Sequence, residues 1–137
     1  MDKNYEVIYT GALRTVATHL KSGSEIVTDA PVDNNGKGEK FSPTDMVAAS
    51  LASCMLTIIG INFSKKGRDL SDVKCDVQKV MASSPRRIAE IHINFDFLEN
   101  DLSVEDYRLI EKLAKACPVA NSLSPDLKVI TNLSGFY

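Results

Sequence analysis

The sequence predicts a mixed domain of strands and helices, on three observations. β-rich runs occupy the N-terminus, a long uncharged stretch follows from residue 46, and a second alternating region leads into amphipathic helical spacing. With 137 residues, 44% hydrophobic and 25% charged, the chain suits one core, so residues 1–137 are expected to form a single domain.

The first elements are strands. YEVIYT and LRTVATHL read as two runs around Gly11 and Ala12, and EIVTDAP as a third ending at Pro31, which together predict an N-terminal meander. VDNNGKGEK, residues 32–40, is a polar Gly/Asn loop. A helix is then expected from about Pro43 to Ser64: Ser42 can cap it, Pro43 suits the first helical position, and Asp45 completes a capping box. Basic residues in KKGRDL, followed by Gly67, mark its end.

Downstream, Val73, Cys75 and Val77 alternate with Lys74, Asp76 and Gln78, which predicts a strand with Cys75 pointing inward. In residues 88–97, Ile91, Ile93, Phe95 and Phe97 share one strand face, and His92, Asn94 and Asp96 the other, with SPRR as the turn between the strands. Ser103 opens SVEDYRLIEKLAKA, where Val104, Tyr107, Ile110, Leu113 and Ala114 recur at helical spacing and Asp106 again suggests a capping box. Pro118 stops this helix near Cys117 and can start a short one over VANSL. LKVITNLSGFY closes the chain as an expected strand.

Residues 46–64, between Asp45 and Lys65, are nineteen uncharged residues in a row. The length just suffices for a membrane span, but Ser50, Ser53, Thr57, Gly60, Asn62 and Ser64 interrupt it and the rest of the chain is polar. A buried helix is expected instead, covered by its own domain or by a partner subunit. A net charge of −2 argues against nucleic acid and membrane surfaces as partners. MDKNYEVIYTG has no apolar core flanked by basic residues and no small-residue cleavage site, so a cytoplasmic protein is expected.

Three widely spaced cysteines, Cys54, Cys75 and Cys117, argue against a disulfide framework and leave catalytic, redox or packing roles. Cys75 reads as a packing residue. Cys54 lies mid-helix among apolar neighbours, where a thiol without a nearby cation or donor has little reactivity, whereas Cys117 beside a helix start is expected to be the more acidic. Arg86 and Arg87 read as solvated turn residues. His19 and His92 have no ligand-like neighbours at short spacing, GKGEK lacks the spacing of a phosphate loop, and no metal or nucleotide cofactor is expected.

SPTDMVAASLASCMLTIIG and KACPVANSLSPDLKV resemble the two cysteine motifs of the OsmC/Ohr family, the osmotically inducible and organic hydroperoxide resistance proteins. YTGALRTVATHL, TDAP, the Gly-rich loop and PRRI follow in family order, so the similarity spans nearly the whole chain. The resemblance implies an α+β, OsmC-like fold: an N-terminal meander, a long central helix, and a second sheet with C-terminal helices, in an intertwined homodimer that encloses the long helix. It further implies a cysteine-based peroxidase acting on organic hydroperoxides or hydrogen peroxide, with Cys54 as peroxidatic and Cys117 as resolving cysteine, regenerated by an external thiol or dithiol.

Hydroperoxide-resistance members pair an N-terminal arginine with a glutamate at the helix start. Here Arg14 in GALR is the candidate arginine, but Thr44 follows Pro43 and the acid is Asp45, one residue later, which turns it by about 100° around the helix. Asp45 is therefore a candidate cap as well as a candidate activator. The alternative to the enzyme is a non-enzymatic dimer that binds a small apolar ligand in its interface cleft.

Overall fold

A computed structural model describes residues 2–97 and 100–133; the last four residues of the expected C-terminal strand lie outside the described residues. The protein is α+β, and the described residues form two three-stranded sheets and three α-helices. It divides into two compact units, Met1–Val47 and Ala48–Tyr137.

In the first unit, β1 (Tyr5–Gly11), β2 (Arg14–His19) and β3 (Glu25–Asp29) form the antiparallel meander expected from the sequence. The β1–β2 turn falls at Ala12 and Leu13, both in the left-handed region (φ 55° and 62°), where glycine or asparagine is the usual occupant. Two bonds hold the turn: the Leu13 amide donates to the Tyr9 hydroxyl (3.2 Å), and its carbonyl accepts from Ala30 (3.0 Å).

The polar loop after β3 folds back on itself. A 3-10 turn at Val32–Asn34 is followed by amide bonds from Gly36 to the Pro31 carbonyl (2.9 Å) and from Gly38 to the Ala30 carbonyl (3.2 Å). Gly36 is required by space, since a Cβ there would lie 1.7 Å from the Ala30 oxygen.

Helix α1 runs Pro43–Lys65, within a residue of its expected end. The Ser42 amide donates to Asp45 Oδ2 (2.8 Å), and the Asp45 amide to Ser42 Oγ (3.1 Å), forming the expected capping box. At the other end Gly67 (φ 71°) is the left-handed residue of a Schellman turn, with amide bonds from Gly67 to Ser64 O and from Arg68 to Phe63 O (both 2.9 Å). By length and composition α1 could cross a membrane; six of its residues, Ala48, Leu51, Ala52, Met55, Ile59 and Phe63, are instead buried in the protein.

Within the single chain α1 is covered on one face, the part of the expected cover that its own domain supplies. Ser50, Ser53, Thr57, Ile61 and Ser64 form an exposed stripe at spacings of three and four, so one face is packed and the opposite face is open.

The second unit carries the sheet β4 (Lys74–Ala82), β5 (Arg87–Asp96) and β6 (Lys128–Leu133). β4 pairs antiparallel with the central β5, and β6 runs parallel to β5. Ile91, Ile93, Phe95 and Phe97 of the β5 face are all buried, as their alternation predicted, and share one core with Leu51, Met55, Ile59 and Phe63 of α1. Ile110 and Ala114 of α2 (Val104–Lys115) close that core. Truncating a member such as Leu51 to alanine should cost about 2–5 kcal/mol.

α2 begins with the capping box of Ser103 and Asp106. Asp106 does more than the sequence suggested: nearly buried, it also takes a bidentate pair from Arg68 (2.7 and 2.8 Å), just past the end of α1. Arg68 also lies 5.0 Å from the Phe63 ring centre, over its face. The Arg68 bond, reinforced by the Ser103 amide, holds the Asp106 carboxyl well below the usual carboxylate range.

A carboxylate with a depressed native pKa contributes stability that is complete above its unfolded value, about pH 4, and is lost as pH falls through the lower native value. Urea unfolding of the wild type should show this loss setting in near about pH 5 and growing as pH falls toward about pH 2. Arg68→Met, with the pair removed, should be less stable at neutral pH and lose less on acidification; parallel pH profiles would contradict the assignment.

Candidate functional site

In the second unit, the turn after α2 places Cys117 at the N-cap of α3 (Pro118–Ser122). Pro118 enforces extended geometry on Cys117 (ψ 143°), and its side chain turns back onto the first turn of α3, where Sγ accepts from the Ala120 amide (3.3 Å). Cys117 is fully buried, while Cys54 on α1 is half-buried at the margin of the same core. Both thiols are free and are neighbours at the edge of the same core, near enough for Cys54 to raise the Cys117 thiol. Two cysteines separated by sixty-two intervening residues are thus brought together by the packing of this unit.

The helix start, expected to favour a thiolate at Cys117, does not lower its thiol on balance. Burial pushes the Cys117 thiol up; the Ala120 and Val119 amides pull it down, but less strongly, and the neighbouring Cys54 adds to the rise. A five-residue helix offers few aligned peptides, whereas full burial removes all of the water that would stabilise a thiolate.

Cys75 is a packing residue, as expected, although the face it shares with Val77 is only partly covered. It packs against the core but is only half-buried, and Val77 on the same strand face is 39% exposed. With Ala49, Ala52, Leu56 and Thr57 of α1, these residues line an open groove of about 370 Å³. Burial, aided by the charge of Asp76, pushes the Cys75 thiol up to about 11.

The two activating candidates lie in the first unit. Arg14 is committed to a structural pair: Nε and Nη2 donate to the two carboxylate oxygens of Asp29 (2.6 and 2.9 Å), and Nη2 contacts Glu39 at 3.4 Å. The Arg14 guanidinium, with help from the Glu39 and Lys40 amides, holds the Asp29 carboxyl below the usual range. Asp29 is 2% exposed, and sequence reasoning missed it. The available signal was register, since an aspartate ending β3 falls opposite Arg14 on β2. Asp45 is the acid of the α1 capping box.

His19 and His92 each have a local partner. His19 Nδ1 lies 2.6 Å from Ser22 Oγ, and His92 Nε2 lies 2.7 Å from Glu90. Arg87 donates to the Ser83 and Pro85 carbonyls of its own turn (3.1 and 2.9 Å). Among the described residues no three His, Cys, Asp or Glu side chains converge in a way that could hold a metal ion.

The fold and the adjoining thiols define an α+β protein with a two-cysteine site. The family model of OsmC-like proteins matches residues 36–132, and the chain belongs to that family. A solved structure from Psychrobacter arcticus 273-4, described by inference as an osmotic stress induced and detoxification response protein, is 47% identical, with 97% of this chain and 96% of that one covered and a TM-score of 0.93. The OsmC-like protein of Mycoplasma pneumoniae (20% identity, 98% of both chains, TM-score 0.77) has the same fold. So does the organic hydroperoxide resistance protein OsmC of Legionella pneumophila (17% identity, 96% and 97% covered, TM-score 0.72). No curated protein sequence matches the chain.

The raised Cys75 thiol should be protonated at neutral pH and should react with iodoacetamide more slowly than an unfolded-peptide cysteine, the difference disappearing in denaturant. Cys75→Ala should cost about 1 kcal/mol, read by chemical unfolding. Rapid native alkylation at Cys75 would contradict this environment.

Proposed function

We propose that the protein is a thiol-dependent peroxidase that reduces organic hydroperoxides or hydrogen peroxide in oxidative stress defence, in the cytoplasm and without a bound cofactor. The observation that carries this reading is the proximity of the Cys54 and Cys117 thiols. Family membership supports it, as do structural neighbours described as organic hydroperoxide resistance proteins.

The burial difference supports an order of events. Cys54, half-buried, can meet an incoming peroxide; Cys117, fully buried and with its thiol pushed up, suits the second step. The Cys54 thiolate attacks the distal oxygen of the O–O bond, the alkoxide takes a proton and leaves as alcohol, and Cys54 becomes a sulfenic acid. The Cys117 sulfur then attacks Cys54, expelling water and forming a disulfide, which protects Cys54 from further oxidation. Two external thiols, or one dithiol, return both cysteines to the reduced state. Arg14 and Asp45 are activating candidates on the resemblance alone, and each already has a structural bond.

Cys117→Ser should consume one equivalent of an alkyl hydroperoxide and accumulate a sulfenic acid on Cys54, detected with a sulfenate-trapping reagent and mass spectrometry. Cys54→Ser should do neither. Sulfenate on Cys117 would reverse the order, and no peroxide consumption by folded wild type would favour the apolar-ligand alternative.

A homodimer is part of the proposal. The exposed stripe Ser50, Ser53, Thr57, Ile61 and Ser64 carries no charge, and small residues allow close helix approach. Sedimentation at micromolar concentration should give a dimer, and Thr57→Glu should weaken it; a stable wild-type monomer would refute this part.

A further inference from the structure

We propose that the reductant regenerating the Cys54–Cys117 disulfide attacks the sulfur of Cys54 and expels Cys117 as the leaving thiolate. The inference rests on the redox-pair reading above and adds the direction of its reductive half. Thiol–disulfide exchange requires the attacking thiolate to approach one sulfur in line with the S–S bond, so access decides which sulfur is attacked. Cys117 is fully buried in the core that includes Phe95, Ile110 and Ala114, whereas Cys54 retains solvent exposure on α1.

The leaving side opposes access in part, because burial pushes the Cys117 thiol up and a raised thiol leaves more slowly; the neighbouring amides offset some of that. When the S–S bond breaks, negative charge develops on Cys117 Sγ, which faces the amides of Ala120 (3.3 Å) and Val119 at the start of α3. Those N–H groups are fixed by the backbone and need no reorganisation as the charge appears. These donors offset part of the cost that burial places on the departing Cys117 thiolate, and it is access that selects Cys54 as the sulfur attacked.

The balance is simple. An external thiolate R–S⁻ adds to Cys54, giving Cys54–S–S–R and a Cys117 thiolate that takes up a proton. A second thiol of the same class then attacks the R sulfur, releasing Cys54 and the disulfide R–S–S–R. Two thiols are oxidised by two electrons, and one protein disulfide is reduced.

The test uses wild-type protein whose disulfide is formed with diamide, independently of any peroxide activity. A short pulse of 2-mercaptoethanol is quenched in acid, and the adduct is located by mass spectrometry after digestion at low pH. The mercaptoethanol adduct is expected on Cys54 in at least about tenfold excess over Cys117. As a second measurement, Cys117→Ser and Cys54→Ser proteins are treated with a thionitrobenzoate disulfide reagent. Cys54 should load and then release thionitrobenzoate to added thiol, while Cys117 should load slowly until denaturant is added. Equal adducts, or an excess on Cys117, would overturn the inference while leaving the redox pair intact. Failure of diamide to form the Cys54–Cys117 disulfide would overturn both.

Discussion

The second unit depends on one constraint: a twenty-three-residue helix with no charge over nineteen consecutive positions has to find apolar cover. The β5 face provides it on one side, and Leu51, Met55, Ile59 and Phe63 share a core with Ile91, Ile93, Phe95 and Phe97. At about 25 cal/mol per Å² of apolar surface, such side chains contribute roughly 1.5–3 kcal/mol each. With the helix rotation fixed by that face, Cys54 has no freedom in placement. It sits at the core margin, half-buried, beside Cys117.

Cys117 illustrates two effects of opposite sign at one sulfur. The extended geometry before Pro118 turns Sγ onto the amides of α3, which favours a thiolate, and burial in the core disfavours it more. The outcome suits a cysteine that acts second. Its amide donors matter when charge appears on the sulfur during exchange, and less while the thiol rests protonated.

The first unit is organised around a different interaction, the pair of Arg14 with buried Asp29. Asp29 also accepts from the Glu39 and Lys40 amides, so one carboxylate ties β2, β3 and the end of the glycine loop together. Breaking such a pair leaves a charge without its partner, which is more costly than the pair is stabilising. Arg14 is accordingly a structural residue here whatever further part it takes.

Much of this was determined by the sequence itself. The capping boxes of Ser42 with Asp45 and Ser103 with Asp106, the stop at Gly67, and the alternation of Ile91, Ile93, Phe95 and Phe97 rest on local geometry, which a few neighbouring residues encode. Resemblance of the two cysteine motifs pointed to the pair. Tertiary structure decided the rest. Only packing could leave the Ser50, Ser53, Thr57, Ile61 and Ser64 stripe open, Cys75 half-buried, and Ala12 and Leu13 in a left-handed turn that their residue types disfavour. Only packing could also give Asp29 and Asp106 their arginines, and let burial outweigh a helix start at Cys117. Burial and long-range pairing depend on residues far apart in the chain, and no local pattern carries them.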